Sequence, residues 1–231
     1  MFNSYDFDDQ NNWTKQDCNC KTCNKEIEAL KERCMLAEGE IVSTEDLVKT
    51  FTNIKKGEDA IITIAEDLVL PEENKITVPA GSKVTVNLNG KKITTEKADI
   101  LFRVNGELTI DGGSVEGTSY VASVNKGGKA IVKGGNYNTE VTCFQANGGE
   151  IIIEGGYFQS YSEKFGNKYL LNHIDSKKND GVIKVIGGKF VNFNPAASKS
   201  EDPMMNFVPE GYKVVETVEG ENTIYEVVKE K

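Results

Sequence analysis

The sequence predicts an all-β protein whose main body, residues 43–199, is a single-stranded right-handed parallel β-helix, a solenoid. Four glycine pairs predict it, because each pair ends a strand-like run and an apolar residue follows two positions later. The pairs begin at Gly112, Gly134, Gly155 and Gly187, and a degenerate earlier copy has a single glycine, Gly90. The first glycines are therefore 22, 22, 21 and 32 residues apart. A repeat of this length built from strands is typical of a β-solenoid.

Two columns of apolar residues are expected to fill the interior of this coil. One column follows the glycines, and the other precedes each first glycine by two residues. The columns are Ile93, Val115, Tyr137, Phe158 and Phe190, and Leu88, Ile110, Val132, Ile153 and Val185. Equivalent residues of successive turns stack about 4.8 Å apart, so each turn covers the apolar residues of its neighbour. Glycine suits the corner because it adopts φ values that other residues avoid.

The N-terminal residues 1–19 are rich in Asn and Asp and show no periodicity, which predicts a flexible arm. The arm nevertheless carries the aromatic residues Phe2, Tyr5, Phe7 and Trp13. A disordered tail needs none of these, whereas a peptide that docks into a groove of a partner uses them. The arm is therefore a predicted anchor.

Residues 20–42 show 3-4 spacing, which predicts a short coiled-coil helix that oligomerises the chain. The a and d positions are Cys20, Cys23, Ile27, Leu30, Cys34, Ala37 and Ile41. The alternative is one amphipathic helix packed on the end of the β-helix. The cysteines are expected to pack as small apolar residues, with an inter-chain disulfide or a metal site as alternatives. No metal or cofactor is predicted.

Both ends of the solenoid are expected to be closed. Residues 43–60 predict a helix that begins at Ser43 or Thr44 as N-cap and covers the first turn. Residues 200–231 predict a loop followed by a β-hairpin cap, whose turn lies at Glu219–Asn222.

Composition excludes several classes of function. The 231 residues carry a net charge of −9, which is the wrong sign for a nucleic-acid partner. No apolar run approaches the roughly 18 residues that a membrane span requires. The acidic start does not resemble a secretory signal, so we expect synthesis in a cytoplasm.

Enzymes are known on this fold, so carboxylate pairs need consideration. One exposed column is predicted to hold Asn89, Asp111, Lys133, Glu154 and Ile186. Asp111 and Glu154 would lie two turns apart, but Lys133 between them makes an alternating solvated face the preferred interpretation. A second outward column is predicted from Arg103, Ser123, Gln145 and His173, with His173 as an exposed strand residue. No catalytic residue is predicted.

The longest step between glycines contains an insertion at residues 160–168. Insertions on solenoids lie on one face and often bind ligands. Tyr161, Phe165 and Tyr169 are therefore a predicted glycan contact, because aromatic rings stack on sugar rings. The alternative is a loop that packs its aromatic residues on the coil.

Two stretches of the chain resemble known proteins. Residues 46–94, with ITVPAGSKVTV and NLNGKKI, resemble the opening coils of pectate-lyase-like β-helices, and residues 187–216 resemble the C-terminal part of β-helical proteins of gut bacteria and their phages. Together with the N-terminal helix, the chain is similar to trimeric head and tail fibre proteins of crAss-like bacteriophages. The resemblance covers roughly residues 44–231.

The resemblance implies a homotrimer attached to the capsid by its N-terminus, with the β-helix projecting outward. It brings no catalytic residues. The expected function is a structural virion protein, most simply a head fibre, that also aids attachment to host or mucus glycans. The alternatives are a polysaccharide depolymerase or lyase and a bacterial surface adhesin.

Overall fold

The computed structural model describes residues 6–7, 13–14, 38–71, 76–95, 100–177 and 180–230. The chain divides into two compact units, Met1–Glu38 and Gly39–Lys231. In the first unit, β1 (Asp6–Phe7) pairs antiparallel with β2 (Trp13–Thr14). The predicted arm therefore contains a short strand pair, which its composition did not indicate.

The second unit is a parallel β-solenoid with three strands in each turn. After β3 (Glu38–Ile41), the five complete turns are β4–β6 (Ala60–Ile64, Leu68–Leu70, Ile76–Val78), β7–β9 (Lys83–Asn87, Lys92–Thr95, Ile100–Val104), β10–β12 (Glu107–Asp111, Ser114–Glu116, Tyr120–Asn125), β13–β15 (Lys129–Val132, Asn136–Thr139, Thr142–Asn147) and β16–β18 (Glu150–Ile153, Tyr157–Ser160, Leu171–His173). A further partial turn contains β19 (Val182–Val185) and β20 (Lys189–Val191). The first, second and third strands of the turns form sheets 1, 2 and 3.

Every strand pairing between successive turns is parallel, as the repeat predicts. The column that follows the glycines is confirmed in full, because Val115 lies opposite Ile93 and Tyr137, and Phe158 lies opposite Tyr137 and Phe190. All five side chains are buried. Three of the rings form a stack inside sheet 2: centroids are 5.2 Å apart for Tyr137 and Phe158, and 4.7 Å for Phe158 and Phe190.

The second predicted column is correct except for Leu88. The residue that lies opposite Ile110 is Val86. The corner that follows Val86 is two residues longer than the later corners, so Leu88 is an additional buried residue there. Its backbone N–H donates to the Asp111 carbonyl at 2.8 Å. The same slip of two residues places Asn87, and not the predicted Asn89, beside Asp111.

The two glycines of a pair are required for different reasons. From the second pair onward it is the second glycine that has a positive φ, such as 96° at Gly188. In the last two pairs the first glycine lies against the backbone of the preceding turn: a Cβ at Gly155 would collide with the Lys133 carbonyl oxygen, and one at Gly187 with that of Glu154. Gly113, in the first pair, combines both conditions, with φ 57° and a carbonyl in the path of a Cβ.

An asparagine ladder closes the third strand of successive turns. The Asn125 amide donates to Oδ1 of Asn105 at 2.8 Å, and the Asn147 amide donates to Oδ1 of Asn125 at 2.8 Å. Asn105, Asn125 and Asn147 thus have a structural role, since their side-chain amides bond along the coil axis.

Helix α1 (Thr44–Asn53) covers the first turn, as predicted. Ser43 is its N-cap, and its Oγ accepts from the Asp46 N–H at 3.1 Å. The helix buries Leu47 and Phe51, and the Phe51 ring lies 5.9 Å from that of Phe102. An apolar helix face therefore meets the apolar interior of the coil.

A hairpin and a loop follow the last turn. Strands β21 (Tyr212–Glu219) and β22 (Asn222–Lys229) are antiparallel, and β22 pairs antiparallel with β20, so the hairpin extends sheet 2. The preceding loop includes 3-10 residues Pro195–Ala197 and buries Phe207, whose carbonyl accepts from the Val185 N–H at 2.8 Å. The predicted turn at Glu219–Asn222 is present.

Candidate functional site

Most of the predicted oligomerisation residues, Cys20 to Ala37, lie outside the described residues. The exception, Ile41, corrects the prediction. It belongs to β3 and is 2% exposed within the solenoid core. The predicted helix of residues 20–42 therefore does not include Glu38–Ile41, which adds a strand to sheet 1.

The predicted carboxylate column forms an exposed face. Asp111 is the last residue of β10, Lys133 and Glu154 directly follow β13 and β16, and all three are exposed to solvent. Among the described residues, none of the three makes an ion pair with another. Such an exposed row of alternating charge stays hydrated.

His173 is placed differently from its prediction. It lies opposite Ala146 on the interior side of sheet 3 and is 1% exposed, whereas Asn172 occupies the position beside Gln145. Glu201, in the loop after β20, contacts His173. Its Oε1 accepts from the His173 backbone N–H at 2.8 Å and lies 3.2 Å from Nδ1 of the same histidine. The alternation of β18 is shifted by one residue relative to the prediction, which exchanges the two faces. This buried pair fastens the C-terminal loop to the coil.

The three residues of the predicted glycan contact do not lie together. Phe165 and Tyr169 meet edge to face with centroids 6.4 Å apart, and the ammonium groups of Lys164 and Lys168 lie over their rings at 4.8 and 4.9 Å. Tyr161 lies elsewhere and is 50% exposed, and its hydroxyl donates to the Gly117 carbonyl at 3.4 Å. Phe165 and Tyr169 therefore pack against each other, whereas the ring of Tyr161 is half exposed to solvent.

A pocket of about 300 Å³ opens beside the insertion, and we call it the insertion pocket. Three separate segments line it: the insertion, the loop after β20, and β22. The lining residues are Phe165, Asn167, Lys168, Asn192, Phe193, Asn194, Ala197, Lys199 and Tyr225. Of these, only Phe165 was predicted. The others come from segments with no shared motif, so only an aromatic residue in an insertion could have indicated the site.

A second concave surface of about 480 Å³ runs along the corner between sheets 3 and 1. Glycines line much of it, and its charged residues include Lys129 and Glu150, which lie 3.5 Å apart. Burial raises the pKa of Glu150, but the hydrogen bonds and charges of Lys184 and Lys129 outweigh it and leave that pKa below its usual value. The carboxylate is thus ionised and held by lysines of two neighbouring turns.

Within the described part of the chain, no group of His, Cys, Asp and Glu has the arrangement of a metal site. No helix in that part is long and apolar enough to cross a membrane.

Comparisons with known proteins add no family. No protein-family model, curated protein or solved structure matches this chain. The repeat geometry and the two concave surfaces are therefore the basis for a functional proposal.

The coil interior contains ionisable groups that stay neutral. Burial raises the pKa of the Cys143 thiol to about 12, although its hydrogen bonds with Thr139 and the Gln159 carbonyl lower that pKa in part. Burial likewise raises the pKa of Tyr137, whose hydroxyl donates to the Gly134 carbonyl at 2.7 Å.

These groups predict a loss of stability at high pH. Because the pKa of Cys143 is higher in the folded protein, the unfolded chain releases this proton first as the pH rises. The contribution of the neutral thiol to the free energy of unfolding is therefore complete below about pH 9 and is lost toward pH 12. We expect Cys143→Ala to reduce the slope of the free energy of unfolding by about 1 kcal/mol per pH unit between pH 10 and 11. Urea titrations of both proteins across that range measure it. Equal slopes would contradict the assignment.

Proposed function

We propose that this chain is a structural virion protein, a bacteriophage head fibre in which three copies associate. The N-terminal residues 1–19 anchor it to a capsid protein, and the solenoid projects from the capsid surface. Synthesis takes place in the cytoplasm of the host bacterium. Displayed in this way, the solenoid also aids attachment to host or mucus glycans.

The observation that carries the proposal is a parallel β-solenoid that follows a coiled-coil pattern in the sequence. Parallel hydrogen bonding links every turn to the next, and the Tyr137–Phe158–Phe190 stack runs through the interior. In a solenoid each turn contacts only its neighbours, so length grows along one axis, which suits a projecting fibre. The 3-4 spacing ahead of it supplies a means of association.

The two ends of the solenoid fit this arrangement. Helix α1 covers the first turn. We propose that the hairpin, together with the loop fastened by His173 and Glu201, caps the other end. An uncovered solenoid end is an open sheet edge that pairs with other chains, so caps keep fibres from joining end to end. Right-handed winding is part of the same proposal.

The first test is the molar mass of the full chain in reducing buffer, measured by light scattering. We expect three times the mass of one chain. Removal of residues 1–37, which keeps β3 and the compact unit Gly39–Lys231, is expected to give a monomer. A trimer after removal of these residues would place the interface on the solenoid and would still support a fibre protein. A full-length monomer would refute the proposal.

A matched pair of substitutions tests the coiled coil itself. Leu30→Lys places a charge at a predicted d position, whereas Ala29→Lys adds the same charge at the neighbouring c position. We expect Leu30→Lys to dissociate the trimer and Ala29→Lys to leave it intact. Equal behaviour of the two variants would show that residues 20–37 do not form the predicted interface.

A further inference from the structure

The insertion pocket has the features of a site for a small, negatively charged carbohydrate. Its volume of about 300 Å³ lies at the lower end of the range of ligand pockets, which leaves room for one or two sugar units. We propose that it binds an acidic sugar, a uronate or a sialate, at the end or in the chain of a glycan. This deepens the proposed attachment role and does not depend on trimer formation.

The pocket is built in advance of any ligand. Oδ1 of Asn167 accepts from the Ser160 N–H at 2.7 Å, which fixes the insertion. Oδ1 of Asn194 accepts from the Ala196 N–H at 2.9 Å, and Asn192 bonds with Thr223 at 2.7 Å, which fixes the opposite wall to the hairpin. Loops ordered beforehand lose little entropy on binding, so the contacts translate into affinity.

The walls offer both kinds of contact that a sugar ring requires. Phe165 and Tyr225 are half-buried at the pocket, and the buried Phe193 forms part of its base. A sugar ring presents an apolar C–H face, which packs on such rings, and hydroxyls around its edge. In the described part of the chain, the Nδ2 groups of Asn167 and Asn194 make no hydrogen bond, so they are left to donate to hydroxyls or a carboxylate.

The charge of the pocket is opposite to that of the whole protein. The chain has a net charge of −9, yet Lys168 and Lys199 line the pocket, and no carboxylate of the described residues does. Glu163, the acid of the insertion, is exposed and lies outside the lining. Two lysines on an otherwise acidic protein favour an anion, because a carboxylate accepts a stronger hydrogen bond from an ammonium group than a neutral hydroxyl does. An acidic sugar matches the aromatic walls and the lysines together.

The test is calorimetric titration of the full-length protein with 3′-sialyllactose, trigalacturonate and lactose. Sialyllactose and lactose differ only in the acidic unit. We expect one of the two acidic probes to bind at least about tenfold more tightly than lactose, since hydrogen bonds to charged groups are worth that factor. The stronger acidic probe identifies the sugar as sialate or uronate. Equal binding of lactose, or no binding of either acidic probe, would overturn the inference.

Two double variants locate the binding. Lys168→Ser with Lys199→Ser removes both lysines of the pocket, and we expect affinity for the acidic probe to fall at least about tenfold. Lys49→Ser with Lys133→Ser removes the same charge from exposed positions on α1 and after β13, and we expect no change. Equal losses in the two variants would mean that net charge, and not this pocket, attracts the ligand. The mass measurement decides trimer formation separately.

Discussion

Replacement of Phe158 by alanine is expected to lower the free energy of unfolding by about 3–5 kcal/mol. Phe158 is the middle ring of the interior stack. Its ring plane is inclined by 14° to that of Tyr137 and by 10° to that of Phe190. The Phe144 ring also meets it edge to face, with centroids 6.2 Å apart. Alanine would leave a cavity that three rings in adjacent turns cannot fill without breaking register.

The measurement is urea unfolding followed by circular dichroism, with Phe165→Ala as the control. Phe165 is also an aromatic residue, but it is half-exposed on the insertion and is expected to cost about 1 kcal/mol or less. A similar loss in the two variants would mean that the interior stack contributes no more than a surface ring, which would contradict the packing described here.

Replacement of Gly113 by alanine is expected to lower the free energy of unfolding by about 2–4 kcal/mol. The residue has φ 57°, and a Cβ would collide with the Lys91 carbonyl oxygen and the Leu88 side chain. A left-handed conformation costs an alanine about 1–2 kcal/mol, and forced overpacking costs about 1–3 kcal/mol more. A smaller gain comes from restricting the unfolded chain, roughly 0.4–1 kcal/mol.

Two further glycines separate these causes. Gly90 has φ 73° with no atom within 4 Å of an added Cβ, so Gly90→Ala reports the conformational cost alone. Gly187 lacks a positive φ in the left-handed range but would meet the Glu154 carbonyl, so Gly187→Ala reports the collision alone. We expect each to cost about 1–3 kcal/mol and less than Gly113→Ala. A Gly113→Ala variant as stable as Gly90→Ala would contradict the close approach of the turns.

The interior columns show how far a repeat predicts packing. Val115, Tyr137 and Phe158 occur at constant distances from the glycines, and the structure stacks them in that register. The predicted position of Leu88 in the column was wrong because its corner is two residues longer than the later ones. The length of a corner follows from how the chain turns between sheets. A fixed offset from one glycine cannot reveal such a difference.

His173 and the insertion pocket show where local patterns end. His173 was assigned to the wrong face because its strand follows the insertion, where the repeat gives no register. Its partner Glu201 is 28 residues away in a loop with no periodic signal. The pocket unites Phe165, Lys199 and Tyr225, which are distant in sequence and adjacent only because the hairpin joins sheet 2.

The sequence by itself determined the parallel solenoid, its interior column, the capping helix and the terminal hairpin. These follow from spacing and alternation, because burial repeats with the turn and each strand alternates its faces. Only the tertiary structure decided the burial of His173 against Glu201, the place of Ile41 in β3 and the walls of the insertion pocket. Those depend on which non-repeating segments meet, and contacts between distant segments leave no period in the chain.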